Sequence, residues 1–287
     1  MPIDYVNQLS PHPNKGVLGQ PLRYDTPKLL DRKLNNLTTI VKEKKKWVAL
    51  TGAGISVSSG ISDFRGPNGI WTLQMKKQEI PVINFDNALP SYTHNALTAL
   101  EADGRLKHLV SQNIDNLHLK SGFPRDRLVE PHGNCFMGMC PYGHEYYHYE
   151  AINSVGQKIL PIRCREPGCR VRYRDTVLDW DQELCQDYFK KTIPYVRACD
   201  LLLVLGTSLQ IKPVSTLTAE ARRHGAQVVI VNLQTVRVNK ALIIYAEADM
   251  VMKHIMDTLE LEPTNMVLDQ PILHSKHNPK DDGMIPQ

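Results

Sequence analysis

The sequence predicts an α/β fold built on a doubly wound parallel sheet, with a smaller module inserted in it. Three observations carry this. Leu201 to Leu205 and Val228 to Val231 are continuous apolar runs of the kind buried on both faces of a parallel sheet. Ser215 to His224 lies between them, carries Ala219 and Ala221, and reads as a crossover helix. Trp47 to Leu50 is a further apolar run that enters a glycine-rich turn.

The elements follow in order. Asp25-Thr26-Pro27 reads as a helix start, with a capping residue before proline in the first turn. Leu30, Leu34, Leu37 and Val41 continue it at helical spacing, and Lys42 to Lys46 close it as a solvated basic end. Thr93 to Leu100 reads as a helix, and Leu109-Val110 and Leu128-Val129 as strands. From Cys135 to Cys169 periodicity fades and Tyr, His, Gly, Pro and Cys accumulate, as in a small module that needs outside help to hold its shape. The expected organisation is a discontinuous main domain over 25–134 and 196–262, the module over 135–195, an N-terminal extension over 1–24 and a loosely ordered tail over 263–287.

Composition narrows the function classes. The 287 residues are 42% hydrophobic, enough for a full core. No apolar run reaches roughly 18 residues, so no transmembrane helix is expected, and no secretory h-region is visible near the start. Six cysteines are too few for a disulfide scaffold. A net charge of +4 tolerates an acidic partner such as nucleosomal DNA without demanding one.

Small polar clusters stand at the ends of the expected strands. Thr51-Gly52-Ala53-Gly54-Ile55-Ser56 follows the first, with Gly52 and Gly54 letting the backbone and its N–H groups approach a pyrophosphate. Val57 stands where a dinucleotide fingerprint has its third glycine. Gln112-Asn113-Ile114-Asp115, Gly206-Thr207-Ser208 and Asn232-Leu233-Gln234 end three more. Ligands bind at such carboxyl ends in open α/β sheets. Asp63, Phe64 and Arg65 precede Gly66, Pro67 and Gly69 in a loop able to fold over a nucleotide.

Together with His132-Gly133-Asn134, these motifs occur in an order that resembles the sirtuins, NAD-dependent protein-lysine deacylases with a Rossmann-like fold and an inserted zinc-binding module. Gly66 to Thr72, Ser121 to Asp126 and Arg174 to Trp180 resemble the nuclear sirtuin 6 and sirtuin 7 branch, and Val17-Leu18-Gly19 with Gly206 to Pro213 the sirtuin 6-like side. The resemblance covers residues 5–262. It implies a deacetylase and long-chain deacylase that releases nicotinamide and 2′-O-acyl-ADP-ribose. His132 would be the base, Asn113 would orient the ribose, and Asp115 would hold the nicotinamide carboxamide. Ala53, Asp63, Phe64, Arg65 and Trp71 would line the cofactor loop. Gln112, Gly206, Thr207, Ser208, Asn232 and Gln234 would hold the adenosine, riboses and phosphates, with Gly52 and Gly54 serving as backbone. Leu178 to Trp180 would form the edge along which an acyl-lysine peptide pairs. Ile61, Phe64, Trp71, Val82, Phe85 and Trp180 are the candidate lining of an acyl tunnel.

Sirtuins hold one structural zinc with four cysteines. Here Cys140, Cys164 and Cys169 match three ligands, while the second position falls on Gly143. The adjacent His144 is the candidate, since imidazole and thiolate both suit tetrahedral Zn²⁺. Cys135 and His148 compete for the place, and loss of the metal is the alternative. Pro131 and Ser62 stand where sirtuins usually have Leu and Pro, departures that would slow the enzyme without deleting a catalytic group. The resemblance also implies an acylated protein-lysine partner, the histone H3 tail first among them, with chromatin contact, a nuclear location and no membrane. A protein mono-ADP-ribosyltransferase and an NAD- or ADP-ribose-binding chromatin scaffold are the competing readings, and oligomeric state stays open.

Overall fold

The computed structural model describes residues 5–82, 84–277 and Met284. A short helix α1 (Tyr5–Gln8) begins an otherwise irregular N-terminal stretch. Helix α2 (Pro27–Glu43) starts after Thr26, with Pro27 where a missing N–H costs nothing. Neither Asp25 nor Thr26 caps it through a side chain. Asp25 instead accepts from the Tyr245 N–H at 2.9 Å and the Lys33 ammonium at 2.7 Å, fastening the helix start to the sheet. Strands β1 (Trp47–Thr51), β2 (Leu106–Ser111) and β3 (Leu128–Val129) follow. Helices α3 (Ile70–Met75), α4 (Tyr92–Ala102) and α5 (Leu117–Lys120) lie between them. Next come four short strands, β4 (Met137–Met139), β5 (Glu145–Tyr147), β6 (Ile159–Arg163) and β7 (Arg172–Asp175). Helix α6 (Gln186–Ala198) leads back to β8 (Leu201–Leu205). Helix α7 (Leu217–Arg223), β9 (Gln227–Val231), β10 (Leu242–Ile244) and α8 (Ala248–Leu259) follow.

The main sheet runs β10-β9-β8-β1-β2-β3 with every pair parallel. Successive side chains point to opposite faces, and the apolar runs divide accordingly. Trp47, Ala49, Leu201 and Leu203 pack beneath Leu37 of α2, Leu97 of α4 and Val251 of α8. Val48, Leu50, Leu202 and Val204 pack beneath Val196 of α6 and Leu217 of α7. Helices therefore cover both faces, as a doubly wound sheet requires. The four short strands form a separate antiparallel sheet, β5-β4-β7-β6.

Three expectations change. The crossover helix starts at Leu217, after a 3-10 turn over Val214–Thr216, rather than at Ser215. Leu178 to Trp180 is not a strand, although the Leu178 N–H donates to the His132 carbonyl at 3.1 Å. Residues 263–277 carry no helix or strand, yet they are tied down. Leu268 N–H donates to the Lys120 carbonyl, and the Ile272 and Leu273 carbonyls accept from Arg125 and Asp126. The rest of the expected tail, apart from Met284, lies outside the described residues.

Three histidines are buried as neutral rings. His108 lies flat on Tyr195 at 4.5 Å and meets the Thr192 hydroxyl at 3.2 Å. His94 and His118 touch at 4.6 Å, with Ser91 and Thr51 as their hydroxyl partners. Burial pushes His94 and His108 down to about 3 and His118 well below its ordinary value. The unfolded chain takes up these protons near pH 6.5, whereas the folded chain refuses those of His94 and His108 until about 3 and that of His118 until well below its ordinary value. Their stability contribution is therefore complete above 6.5 and is lost progressively as pH falls below it. In His108→Gln, stability measured by urea unfolding should fall less steeply from pH 6.5 to pH 5, by about 1.4 kcal/mol per pH unit. Equal slopes in the two proteins would mean that His108 protonates freely in the native state.

Candidate active site

Chain order reverses beside β1, whose successor β2 lies on one side and β8 on the other. Beyond their first residues the loops leaving β1 and β8 part, and a cleft opens above the carboxyl ends of the strands. The turn after β1 packs backbone against backbone on the turn after β8. Gly52 N–H donates to the Leu205 carbonyl at 3.0 Å and Gly54 N–H to the Gly206 carbonyl at 2.9 Å. A Cβ on Gly54 would stand 2.7 Å from Gly206 Cα. Gly206 adopts φ of +61°, in the left-handed region. The expectation that these two N–H groups face an anion is thus corrected: they are spent on carbonyls, and the glycines serve close approach.

Asn113 and His132 both line the cleft. The Asn113 amide nitrogen donates to the Gly52 carbonyl at 3.3 Å and the Ser56 hydroxyl at 3.1 Å. A carbonyl only accepts, so the orientation of the amide is fixed. Its Oδ1 is buried and has no partner among the described residues. His132 Nδ1 lies 3.0 Å from the Gln112 carbonyl. Nδ1 must therefore carry the proton, which leaves Nε2 as a bare acceptor, also buried and unpartnered. Burial lowers the His132 pKa, partly offset by that hydrogen bond.

Every cofactor-side residue named from the sequence lines this cleft, from Gly52, Ala53 and Gly54 to Asn232 and Gln234. Gln112 donates to the Thr207 hydroxyl at 2.8 Å. Asp63 accepts from Gly66 N–H at 3.1 Å and the Gln234 amide at 3.2 Å, closing the 63–69 loop onto the end of β9. Asp115 does not reach the wall. Its Oδ2 accepts from the Ser56 hydroxyl at 2.7 Å and its Oδ1 from Leu117 N–H at 3.0 Å. It stands behind Asn113 and supports it through Ser56.

The N-terminal stretch forms part of the wall. Tyr5 and Leu9 line the cleft beside Phe64, Trp71, Leu178, Trp180 and Leu184. Phe64 stacks on Trp71, and Trp71 contacts Trp180, each at 5.4 Å. The Arg65 guanidinium donates to the Lys15 carbonyl at 2.9 Å, and Val17 N–H to Gln210 at 2.7 Å. Ser10 donates through N–H and hydroxyl to Asp179. No local pattern marks Tyr5 or Leu9 in the sequence, because their partners lie far along the chain. Of the tunnel candidates, Ile61 and Phe85 belong to the core beneath, and Val82 is 73% exposed and off the cleft.

In the inserted sheet, ligand atoms of Cys140, His144, Cys164 and Cys169 all lie within 4.8 Å of one another. His144 Nδ1 is 3.3 Å from Cys140 Sγ and 3.4 Å from Cys164 Sγ. A tetrahedral zinc sets such S···N pairs about 3.6 Å apart, so the donor set and its spacing fit that ion. Cys135 is outside the group, in the core with Phe136, and His148 packs on Tyr146.

Residues 77–213 match the model of the Sir2 family. The chain is 42% identical over 266 residues to the NAD-dependent protein deacetylase SRT1 of Oryza sativa subsp. indica, a match that covers 91% of this chain and 55% of that protein. It is 38% identical over 275 residues to the NAD-dependent protein deacetylase Sirt6 of Drosophila melanogaster, covering 91% of this chain and 86% of that one. A solved Sir2 structure with p53 peptide and NAD+ superposes at a TM-score of 0.61 and 27% identity, covering 79% of this chain and 98% of the other. The chain spans about half the length of the rice relative.

The donor set at the metal site is directly testable. Elemental analysis of the purified protein should find one zinc per chain. His144→Cys should keep it, His144→Ala and Cys169→Ser should lose it, and Cys135→Ala should retain it. Zinc kept in His144→Ala and lost in Cys135→Ala would reassign the second ligand.

Proposed function

The chain belongs to the Sir2 family, and from that premise we propose that it is an NAD-dependent protein-lysine deacylase. The observation that carries the reading is the pair of buried, unpartnered acceptors, Asn113 Oδ1 and His132 Nε2, in one cleft at the strand ends. Two orphaned acceptors await hydroxyl donors, and the riboses of NAD present them. Bound NAD supplies an activated C1′ from which nicotinamide leaves, and its ribose receives the acyl group to give 2′-O-acyl-ADP-ribose.

The protein groups orient, exclude water and move a proton. Asn113 Oδ1 accepts from a ribose hydroxyl in an orientation set by Gly52 and Ser56. His132 Nε2 takes a proton from a ribose hydroxyl while Nδ1 keeps its hydrogen bond to Gln112. The lowered pKa keeps this imidazole neutral at pH 7, so activity should persist on acidification through the ordinary imidazole range and fall only below it. Gln112, Thr207, Ser208, Asn232 and Gln234 offer amide and hydroxyl groups to the nucleotide. Phe64, Arg65 and Trp71 roof the site, and Asp115 acts through Ser56 rather than by direct contact. The acylated lysine enters beside Leu178, Asp179 and Trp180, which line the cleft.

The sirtuin 6-like resemblance supports histone H3 tails as substrate, with chromatin and the nucleus as setting, and the net charge of +4 tolerates nucleosomal DNA beside them. No helix among the described residues is long and apolar enough to cross a membrane. The aromatic and leucine wall supports long acyl chains, at roughly 0.8 kcal/mol per buried CH₂.

Mass spectrometry of an acetyl-lysine peptide incubated with protein and NAD should detect 2′-O-acetyl-ADP-ribose. ADP-ribosylated protein in its place would mean a transferase, and unchanged NAD a binding module. His132→Ala should lower turnover by about 10²–10⁴ while retaining NAD binding. Near wild-type turnover in that variant would remove His132 from the chemistry. A myristoyl-lysine peptide should show a lower KM than its acetyl counterpart at similar kcat, since the chain adds uniform binding; an equal or higher KM would leave no functional acyl site.

A further inference from the structure

Glu130 is a buried acid that the chemistry above does not use. It follows β3, stands two residues before His132 and is 3% exposed. Its Oε1 accepts from the Asn134 side-chain nitrogen at 2.9 Å, and the same nitrogen donates to Asn116 Oδ1 at 2.9 Å. Asn116 directly follows Asp115 and holds a left-handed backbone at φ of +65°. The other groups of Asn134 are engaged too: Oδ1 accepts from Phe136 N–H at 2.8 Å, and its own N–H donates to the Thr176 hydroxyl at 3.0 Å. One fixed amide thus spans the segment that carries Asn113 and the segment that carries His132.

We propose that Glu130 is a positioning residue whose carboxyl, acting through Asn134, holds Asn113 and His132 in register with one another. This rests on the deacylase reading. Glu130 Oε2 is buried without a partner. Burial pushes the acid up to about 8; Arg125 pulls it down, as does the Asn134 hydrogen bond, while Glu145 and Asp115 push it up. Cys135, Tyr147 and Tyr188 also face it. At neutral pH the proton therefore sits on Oε2 and Oε1 stays the acceptor that Asn134 needs. Above about pH 8 the ionised carboxylate would accept from Asn134 more strongly, but it would stand in the same dry space as Asp115, and their repulsion would displace the Asp115–Asn116 segment that the bridge holds.

The experiment compares E130Q and E130A in the full chain. A misplacement of about 1 Å costs on the order of a hundredfold, so E130A should lose at least roughly tenfold in kcat with the KM for NAD within about twofold. E130Q, a neutral isostere that still accepts from Asn134, should recover most of that loss. Wild-type kcat should decline above pH 8, and E130Q should not. Independently of turnover, the amide resonances of Asn116 and Gly133 should shift together near pH 8 in wild type and stay flat in E130Q. Full kcat in E130A, E130Q as slow as E130A, or uncoupled resonances would overturn the proposal. If the wild type processed no acyl-lysine, the deacylase reading would fail, while the resonances would still decide whether Glu130 couples the loops.

Discussion

A parallel strand flanked on both sides by parallel strands cannot turn back on itself, and the site follows from β1 being held this way. Thr51 is paired with Ser111 of β2 and Leu205 of β8 in register, so three strand ends finish at one level. The chain must leave each end over the top of the sheet, and the reversal of order sends the neighbouring loops apart. The resulting gap is already walled by main chain. Polar side chains need only stand on the first residues beyond each strand to face into it, and Gln112, Asn113, Thr207 and Asn232 do so.

The inserted sheet contributes more than a metal cluster. Its last strand, β7, returns the chain past the base-bearing loop. The Thr176 hydroxyl accepts from Asn134, and Leu178 N–H donates to the His132 carbonyl. A Cβ on Gly133 would lie 2.0 Å from the Thr176 carbonyl oxygen, so the loop is pressed directly on that returning segment. Folding of the module, which the three thiolates and His144 would complete by holding zinc, is thereby linked to the placement of an imidazole outside the module.

Much of this was legible in the sequence where the physics is local. Leu201 to Leu205 must be buried on both faces, and five consecutive apolar residues say so directly. Small polar residues beyond a strand end also declare themselves. What the sequence hides is direction. Asn113 and Asp115 are two residues apart, yet one side chain enters the cleft and the other folds back onto Ser56. Spacing in a loop carries no such information. The strands of the module, of three to five residues, are too short for alternation to register. Tyr5 and Leu9 leave no mark in the sequence because their partners are set by tertiary contact alone, and the fastening of residues 264–277 is hidden for the same reason.

The contact of Gly52 and Gly54 with Gly206 and Thr207 also bears on how such a chain can drift. In most packed pairs a larger residue on one side is repaired by a smaller one on the other. Here the opposing atoms are largely main chain, and no substitution makes a main chain smaller. Gly54 and Gly206 should therefore leave no covarying record of their contact: each would simply stay glycine, alone. Side chains facing the cleft can diversify and retune the ligand it accepts, while the corner that creates the cleft has no neighbouring sequence through which to change.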